Sequence, residues 1–142
     1  MSSLYGPVIF IEDDAEDHEF VLEAYRSLNL KNQWRLFTKA QDALDYLLTT
    51  TEKPLIIISE ITLRGVDGIG LRKAILANDY LRLKSIPFIF FTTNHEYKDV
   101  SMAYELQVQG YFIKKYSVPE IARMLQKIID YWQECFHPNN AQ

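Results

Sequence analysis

Five short apolar runs divide the chain, and longer stretches with helical spacing separate them. The runs cover residues 8–11, 34–37, 55–58, 88–91 and 111–113. Three of them are continuously apolar and rich in β-branched or aromatic residues, which is typical of strands buried on both faces of a parallel sheet. The run that contains Arg35 is the most polar, so we expect it at an edge of the sheet.

Each apolar run is followed by a stretch with the apolar spacing of an amphipathic helix. These stretches cover residues 14–28, 40–48, 69–77, 96–108 and 119–136. Asp14 and Ser117 stand where N-caps are expected, and Pro119 falls in the first turn of the last helix. Gly110 follows the fourth stretch, and we expect it to end that helix in the left-handed conformation.

The alternation of strands and helices predicts an α/β fold of parallel βαβ units with right-handed crossovers. Five such units in 142 residues predict a flavodoxin-like (βα)5 doubly wound sandwich with a five-stranded sheet. We expect the strand order 2-1-3-4-5, which places the polar second strand at an edge. The whole chain, 1–142, is predicted to be one domain with a core over about 6–136 and a frayed tail over 137–142.

Composition narrows the classes of partner and the compartment. The net charge is −4 without a cluster of Lys and Arg, so neither nucleic acid nor a membrane is an expected partner. No apolar run is long enough to cross a bilayer, and no secretory leader opens the chain, so we expect a cytoplasmic protein. Cys135 is the only cysteine, and His18, His95 and His137 have no metal-ligand spacing and are expected to be exposed.

Chemistry-bearing side chains follow four of the five predicted strands. In open α/β sheets, ligands bind beyond the carboxyl ends of the strands, so these groups are expected to share one rim. Clustered carboxylates hold Mg²⁺, while a hydroxyl and an ammonium bind phosphoryl oxygens. The groups are Glu12-Asp13-Asp14 after the first strand, Glu60 after the third, Thr92-Thr93-Asn94 at the fourth and Lys114-Lys115 after the fifth.

These segments, in this order, resemble the receiver domains of response regulators over essentially the whole chain. The acidic first helix and the long last helix are closer to the single-domain regulators that accompany bacterial phytochromes. The segments that carry the resemblance are Phe10-Ile11-Glu12-Asp13-Asp14, Ile58-Ser59-Glu60-Ile61-Thr62-Leu63-Arg64-Gly65-Val66-Asp67-Gly68, Phe91-Thr92-Thr93-Asn94 and Gly110-Tyr111-Phe112-Ile113-Lys114.

The resemblance implies a metal site and a set of phosphate-binding residues. Glu12, Asp13 and the backbone carbonyl of Thr62 would hold Mg²⁺. The phosphoacceptor position falls on Glu60. The residues that would respond to the phosphoryl group are the hydroxyl of Thr92, the side chain of Tyr111, which swings with it, and Lys114, its counter-ion.

The sequence departs from the family at three positions around the pocket. Glu60 replaces the acceptor aspartate, and its extra methylene displaces the carboxylate, so we expect little or no phosphorylation and weakened Mg²⁺ binding. The longer carboxylate can instead reach Lys114 or Thr92 directly, which would either imitate part of the phosphorylated state or lock the inactive one. Arg64 and Lys115 add two cations, which favours a pocket rebuilt around a permanent internal salt bridge.

Plainer interpretations and rival functions stay open. Tyr111 can be ordinary core packing, and Asp14, Glu16, Asp17 and Glu19 can simply favour the positive end of a helix.

We expect a non-enzymatic pseudo-receiver that contacts a histidine kinase or another signalling protein. A homodimer through the fourth helix, fifth strand and fifth helix, over about 95–132, is a further expectation.

The first rival is a working phosphoacceptor that takes phosphate from a histidine kinase. A Mg²⁺-dependent phosphohydrolase is less favoured because its two aspartates spaced by one residue are missing after the first strand. A flavodoxin is disfavoured because the acidic segment 12–17 would repel a phosphate.

Overall fold

The computed structural model describes residues 3–141 and contains one parallel five-stranded sheet. Its order is β2-β1-β3-β4-β5, so both the fold class and the strand order are confirmed. The second strand lies at an edge as expected. The strands are β1 (Val8–Ile11), β2 (Trp34–Phe37), β3 (Ile56–Ser59), β4 (Phe88–Thr92) and β5 (Gly110–Ile113).

Six α-helices are present within residues 3–141, one more than the five that the sequence pattern predicts. The additional helix is α4, which begins directly after α3. The side chain of Asn78 caps it by accepting a hydrogen bond from Leu81 N at 3.0 Å, and Ser85 ends it with a φ of 54°. The helices are α1 (Ala15–Ser27), α2 (Ala40–Thr49), α3 (Gly68–Ala77), α4 (Asp79–Lys84), α5 (Tyr97–Glu105) and α6 (Val118–Glu134).

The end of α5 differs from the prediction. The helix stops at Glu105, three residues short of the predicted end at position 108. Gln107, with a φ of 61°, supplies the left-handed residue. Gly110 opens β5 instead, so its predicted role as the helix stop is wrong.

The sheet separates two apolar cores. Helices α1 and α6 pack on one face, where alternate strand residues such as Val8 and Phe10 point. Helices α2 to α5 pack on the other face against the intervening residues, such as Ile9 and Ile11. Both faces of the inner strands are therefore buried, which is why these strands read as continuous apolar runs.

The C-terminal segment packs against the amino end of the sheet. His137 is 0% exposed, and its Nε2 donates to the carbonyl of Leu55 at 2.7 Å. The side-chain amide of Asn139 donates to the carbonyls of Lys53 and Pro54. The predictions of a frayed tail and of an exposed His137 are therefore wrong for residues 137–141, while position 142 lies outside the described residues.

The other two histidines are closer to expectation. His95 is exposed as predicted, and His18 is partly buried. In the part of the chain that the structure describes, no helix is both long enough and apolar enough to span a membrane.

Candidate functional site

The ammonium group of Lys114 lies at the centre of three carboxylates at the carboxyl end of the sheet. Its Nζ is 2.5 Å from Glu12 Oε1, 2.8 Å from Asp17 Oδ2 and 2.8 Å from Glu60 Oε1. The side chains of Lys114, Glu12 and Glu60 are buried, whereas that of Asp17 is partly exposed. The centre of the site is therefore a buried cation surrounded by acids.

The sheet topology brings these groups together. Glu12, Glu60 and Lys114 each follow directly on a strand, β1, β3 and β5, and parallel strands end at the same edge of a sheet. The backbone N–H of Lys114 also donates to the carbonyl of Thr92 at 2.9 Å, which ties the residue to the end of β4. The predicted convergence of the strand ends is confirmed for these positions.

Asp17 joins the cluster from the first turn of α1, and sequence reasoning assigned it only to the positive end of a helix. Asp14 caps the helix by accepting from Asp17 N at 3.0 Å, which confirms the predicted N-cap. Side chains of a first helical turn point back toward the start of the helix, so the Asp17 carboxylate is directed at the strand ends. The position of Asp17 in the first turn of α1 is therefore the feature of the sequence that could have predicted its contact with Lys114.

Burial and hydrogen bonding act in opposite directions on the charged groups. Burial disfavours the charge of Lys114, but hydrogen bonds to Asp17, Glu12 and Glu60 outweigh it and raise the pKa of the ammonium above its ordinary value. Burial also raises the pKa of Glu12, and the hydrogen bond from Lys114 opposes this without cancelling it. Lys114 is therefore held in its charged form.

Both carboxylate oxygens of Glu60 have donors. Oε1 contacts Lys114, and Oε2 accepts from the backbone N–H groups of Ile61 at 2.6 Å and Thr62 at 3.3 Å. The hypothesis that the longer carboxylate reaches Lys114 is confirmed by this geometry. Thr92 is buried, and its hydroxyl accepts from Asn94 N at 3.2 Å rather than contacting Glu60.

Asp13 points to a different partner from Glu12. Its Oδ2 accepts from the backbone N–H of Arg64 at 2.8 Å and from Arg64 Nε at 3.4 Å. Arg64 therefore forms a long surface pair with Asp13, and its side chain is largely solvated. Lys115 and Thr62 are exposed, and the carbonyl of Thr62 lies in the loop that carries Arg64.

The residues predicted to hold Mg²⁺ do not fit a divalent cation in this arrangement. Glu12 Oε1 is taken by Lys114, and its Oε2 accepts from Asp14 N at 3.2 Å. One oxygen of Asp13 is taken by Arg64. Across residues 3–141, no group of three or more His, Cys, Asp or Glu is arranged to hold a metal ion. A metal bound through these oxygens would compete with the ammonium of Lys114 and with the N–H groups of Arg64.

Tyr111 is tied to the loop after β4. Its hydroxyl donates a hydrogen bond to the carbonyl of Asn94, and its ring packs edge-on against Phe90 with centroids 6.1 Å apart. Burial, with smaller contributions from the charges of Asp99 and Glu60, raises the pKa of Tyr111 to about 12. Tyr111 therefore combines core packing with a polar link between β5 and the β4–α5 loop.

The fold and this cluster define a class of protein, a single α/β module with an acidic pocket and a lysine at the strand ends. The chain belongs to the response regulator receiver domain family, whose model matches residues 8–126. Response regulator Rcp1 of Synechocystis sp. is 26% identical over 132 residues, which cover 89% of this chain and 88% of Rcp1. The probable methanogenesis regulatory protein FilR2 of Methanothrix harundinacea is 26% identical over 129 residues, covering 88% and 82%.

Solved structures agree with this assignment. The Mn²⁺-bound form of Rcp1 has a TM-score of 0.75 at 25% identity, covering 91% of this chain and 95% of that one. The bacteriophytochrome response regulator AtBRR has a TM-score of 0.71 at 26% identity, covering 85% and 90%. The chain is thus a receiver domain of two-component signalling, similar to regulators that accompany phytochromes.

Proposed function

We propose that this chain is a pseudo-receiver, a signalling module that acts through protein contacts and is not phosphorylated in the usual way. The observation that supports it most is the Lys114 ammonium, held by Glu12, Asp17 and Glu60 at 2.5 to 2.8 Å. Glu60 occupies the acceptor position in this proposal. The lysine that would bind the incoming phosphoryl group is already engaged.

The position of the Glu60 carboxylate disfavours attack on a phosphodonor. In-line transfer depends on placement of the nucleophile, and a displacement of about 1 Å can cost roughly 100-fold in rate. Oε1 is held by Lys114 and Oε2 by two backbone N–H groups, so neither oxygen is free to approach a phosphorus atom. The proposed pocket therefore contains an acceptor that is held away from transfer.

The Glu60–Lys114 pair supplies part of what a phosphoryl group would supply. A carboxylate carries one negative charge against about −1.5 to −2 for a phosphoryl group, and it has fewer acceptor oxygens. The hydroxyl of Thr92 donates no hydrogen bond to Glu60, so Glu60 does not engage the half of the pocket that contains this hydroxyl. We propose a fixed state that is only a partial imitation of the phosphorylated one.

Weakened binding of Mg²⁺ belongs to the same proposal. A metal at Glu12 and Asp13 would compete with Lys114 and Arg64 for carboxylate oxygens. Loss of a well-placed supporting group costs roughly 10- to 100-fold in metal affinity. We expect calorimetric titration with Mg²⁺ to give an affinity at least about tenfold lower for the parent than for Glu60→Asp. Equal affinities would show that the internal pairs do not exclude the metal.

The surface of α5, β5 and α6 is the proposed site of partner contact. It corresponds to the fourth-helix, fifth-strand and fifth-helix face of the expected five-helix fold. Tyr97 is 87% exposed on it, and Tyr104, Ile113 and Tyr116 are also exposed. Aromatic residues of this kind are enriched in interfaces. We propose a histidine kinase or another cytoplasmic signalling protein as the partner, with a second copy of this chain as a further occupant.

Intact-mass measurement after incubation with acetyl phosphate and Mg²⁺ tests the central claim. We expect the parent chain to stay unmodified and Glu60→Asp to gain one phosphoryl group. Glu60→Gln is the matched control, because it retains the length of the side chain and removes the nucleophile. A phosphoryl group on the parent but not on Glu60→Gln would identify a working acceptor and overturn the proposal.

The outcome in which neither the parent nor Glu60→Asp is modified also has a defined meaning. Asp17→Asn combined with Glu60→Asp would then release Lys114 from its additional partner. Phosphorylation of only this double variant would assign the block to the Asp17–Lys114 pair rather than to Glu60.

A further inference from the structure

A buried arginine without a carboxylate partner lies at the opposite end of the sheet from Lys114. Arg72, in α3, is 6% exposed. Its Nε donates to the carbonyl of Leu106 at 2.9 Å and its Nη2 to the carbonyl of Gln107 at 3.0 Å. Its guanidinium carbon is 5.3 Å from the centroid of the Phe88 ring. Within residues 3–141, no Asp or Glu forms a salt bridge with it.

The hydrogen bonds of Arg72 use only one edge of the guanidinium. Nε and Nη2 form the side edge, and this edge is occupied by the two carbonyls. The end edge, formed by Nη1 and the second hydrogen of Nη2, makes no hydrogen bond to the described residues. No buried side-chain nitrogen of these residues lacks a partner, so Nη1 is not itself buried. Burial lowers the pKa of Arg72 from its ordinary value, as expected of a desolvated cation without an anionic neighbour. The free edge has the geometry that binds a carboxylate or a phosphate through two hydrogen bonds.

This arginine borders a cavity of about 330 Å³. The polar residues that line the cavity are Arg72, Arg82, Ser85, Gln107 and Gln109, and the remaining lining is aliphatic. Two cations and no acid therefore face the space, in a chain whose net charge is −4. Helix α4, which the sequence pattern did not predict, contributes Arg82 and ends at Ser85, so the cavity depends on this additional element.

We propose that this cavity is a binding site for a small oxyanion, a carboxylate or phosphate group, which pairs with the free edge of Arg72 and with Arg82 at the rim. The site lies at the amino ends of β4 and β5, whereas Lys114 lies at the carboxyl ends. It therefore shares no residue with the cluster of Glu12, Asp17, Glu60 and Lys114. A carboxylate is planar and a phosphate is tetrahedral, and each presents two oxygens that can accept hydrogen bonds from a guanidinium edge.

A purely structural role for Arg72 is the competing explanation. Its side edge joins α3 to the turn between α5 and β5, and such a link needs no ligand. The two explanations differ in what they require of Arg82, which is exposed and forms a surface pair with Asp79 at 3.1 Å. A structural link through Arg72 is unaffected by removal of Arg82, whereas the affinity of an anion site falls when this second cation is removed.

Titration of the ¹⁵N-labelled full chain with sodium phosphate, and separately with sodium acetate, tests the proposal. Chloride holds the ionic strength constant in both series. We expect saturable shifts of the backbone amides of α4 and of the α5–β5 turn with at least one anion. The anion that saturates at the lower concentration identifies the preferred class. Shifts that rise linearly with concentration, or that spread over all basic residues, would overturn the proposal.

Two variants make the test specific. We expect Arg82→Gln to weaken binding by about two- to fivefold, the effect of one partly solvated charge pair. Arg123→Gln removes an exposed arginine of α6 and is expected to leave the titration unchanged. Arg72→Gln is expected to abolish the saturable shifts, while the other backbone amides keep the chemical shifts of the folded protein. If Arg82→Gln and Arg123→Gln behave alike, the cavity is not an anion site.

Discussion

Among the individual residues of this chain, Lys114 has the clearest energetic role. Its ammonium is the counter-charge of Glu12 and Glu60, whose side chains are nearly as buried as its own. Removal of one partner from a buried ion pair leaves an uncompensated charge and typically costs about 3–5 kcal/mol. We expect Lys114→Met to lower the free energy of unfolding by about this amount, measured by urea denaturation at pH 7.

The matched control for that measurement is Asp17→Asn. The Asp17 side chain is 32% exposed, so solvent screens its contact with Lys114. We expect a loss below about 1 kcal/mol. Similar losses for Lys114→Met and Asp17→Asn would contradict the assignment of Lys114 as the counter-charge of the buried acids.

His137 gives the stability of the chain a dependence on pH. Its Nε2 donates to Leu55, a bond that either form of the ring can make, whereas its Nδ1 accepts from Asn139 N at 3.0 Å, a bond that requires the neutral ring. Burial lowers the pKa of His137 from its ordinary value of 6.5, although the bond to Leu55 opposes this. With a depressed pKa in the folded state, the contribution of His137 is complete above about pH 6.5 and is lost as the pH falls through the folded value.

We therefore expect the urea midpoint of the parent to fall between pH 7.5 and pH 5.5. His137→Gln retains a donor for the Leu55 carbonyl and does not titrate, so its midpoint should fall less over the same interval. A parallel decline in both proteins would assign the effect to groups other than His137.

The end of α5 shows how one exposed residue affects an element. Gln107 adopts a left-handed conformation with a φ of 61°, and its side chain is exposed. This conformation costs a residue with a Cβ about 1–2 kcal/mol, while glycine adopts it freely but loses more entropy on folding. We expect Gln107→Gly to stabilise the protein by about 0.5 kcal/mol in urea denaturation.

Gln107→Val is the control for this element. A β-branched side chain disfavours the left-handed conformation more strongly, so we expect a loss of about 1 kcal/mol or more. The carbonyl of Gln107, which accepts from Arg72, is present in every variant. Equal stability of the glycine and valine variants would mean that the turn tolerates another conformation.

Elements were predictable from the sequence where local pattern and burial agree. The inner strands are buried on both faces, so their runs are continuously apolar, and Asp14 and Ser117 cap α1 and α6 as expected. Helix α4 was missed because it has only six residues, too few to show a helical repeat. Its start depends on the side chain of Asn78, and Asn also occurs commonly in turns.

At the scale of the whole molecule, topology made the candidate site predictable. Once the strand order is 2-1-3-4-5, the residues that follow the strands must meet, and Glu12, Glu60 and Lys114 do so. The contribution of Asp17 depends on the direction of one side chain. The cavity at Arg72 depends on an unpredicted helix. Neither leaves a periodic signal in the sequence.

Described segments near both ends of the chain pack at the amino end of the sheet. Near the N-terminus, the buried amide of Asn32 donates to the carbonyls of Leu4 and Gly6, and Gln133 of α6 donates to Asn32 Oδ1 at 2.9 Å. Near the C-terminus, His137 and Asn139 bind the segment that leads into β3. Local sequence gave no sign of this because all of these partners are distant in the chain.

Removal of residues 137–142 tests the energetic importance of this closure. The deletion leaves the carbonyl of Leu55 without its buried donor and the carbonyls of Lys53 and Pro54 without the amide of Asn139. A buried group that loses its partner costs about 1–3 kcal/mol, and the entropy of ordering the tail offsets part of what its contacts contribute. We expect a net loss of about 2 kcal/mol in urea denaturation, with the slope of the transition unchanged. Deletion of residues 141 and 142 alone retains His137 and Asn139 and should cost less than about 0.5 kcal/mol. If both deletions cost equally little, the C-terminal segment packs on the sheet without stabilising the protein. The urea midpoint of the parent should then show no pH dependence that can be assigned to His137.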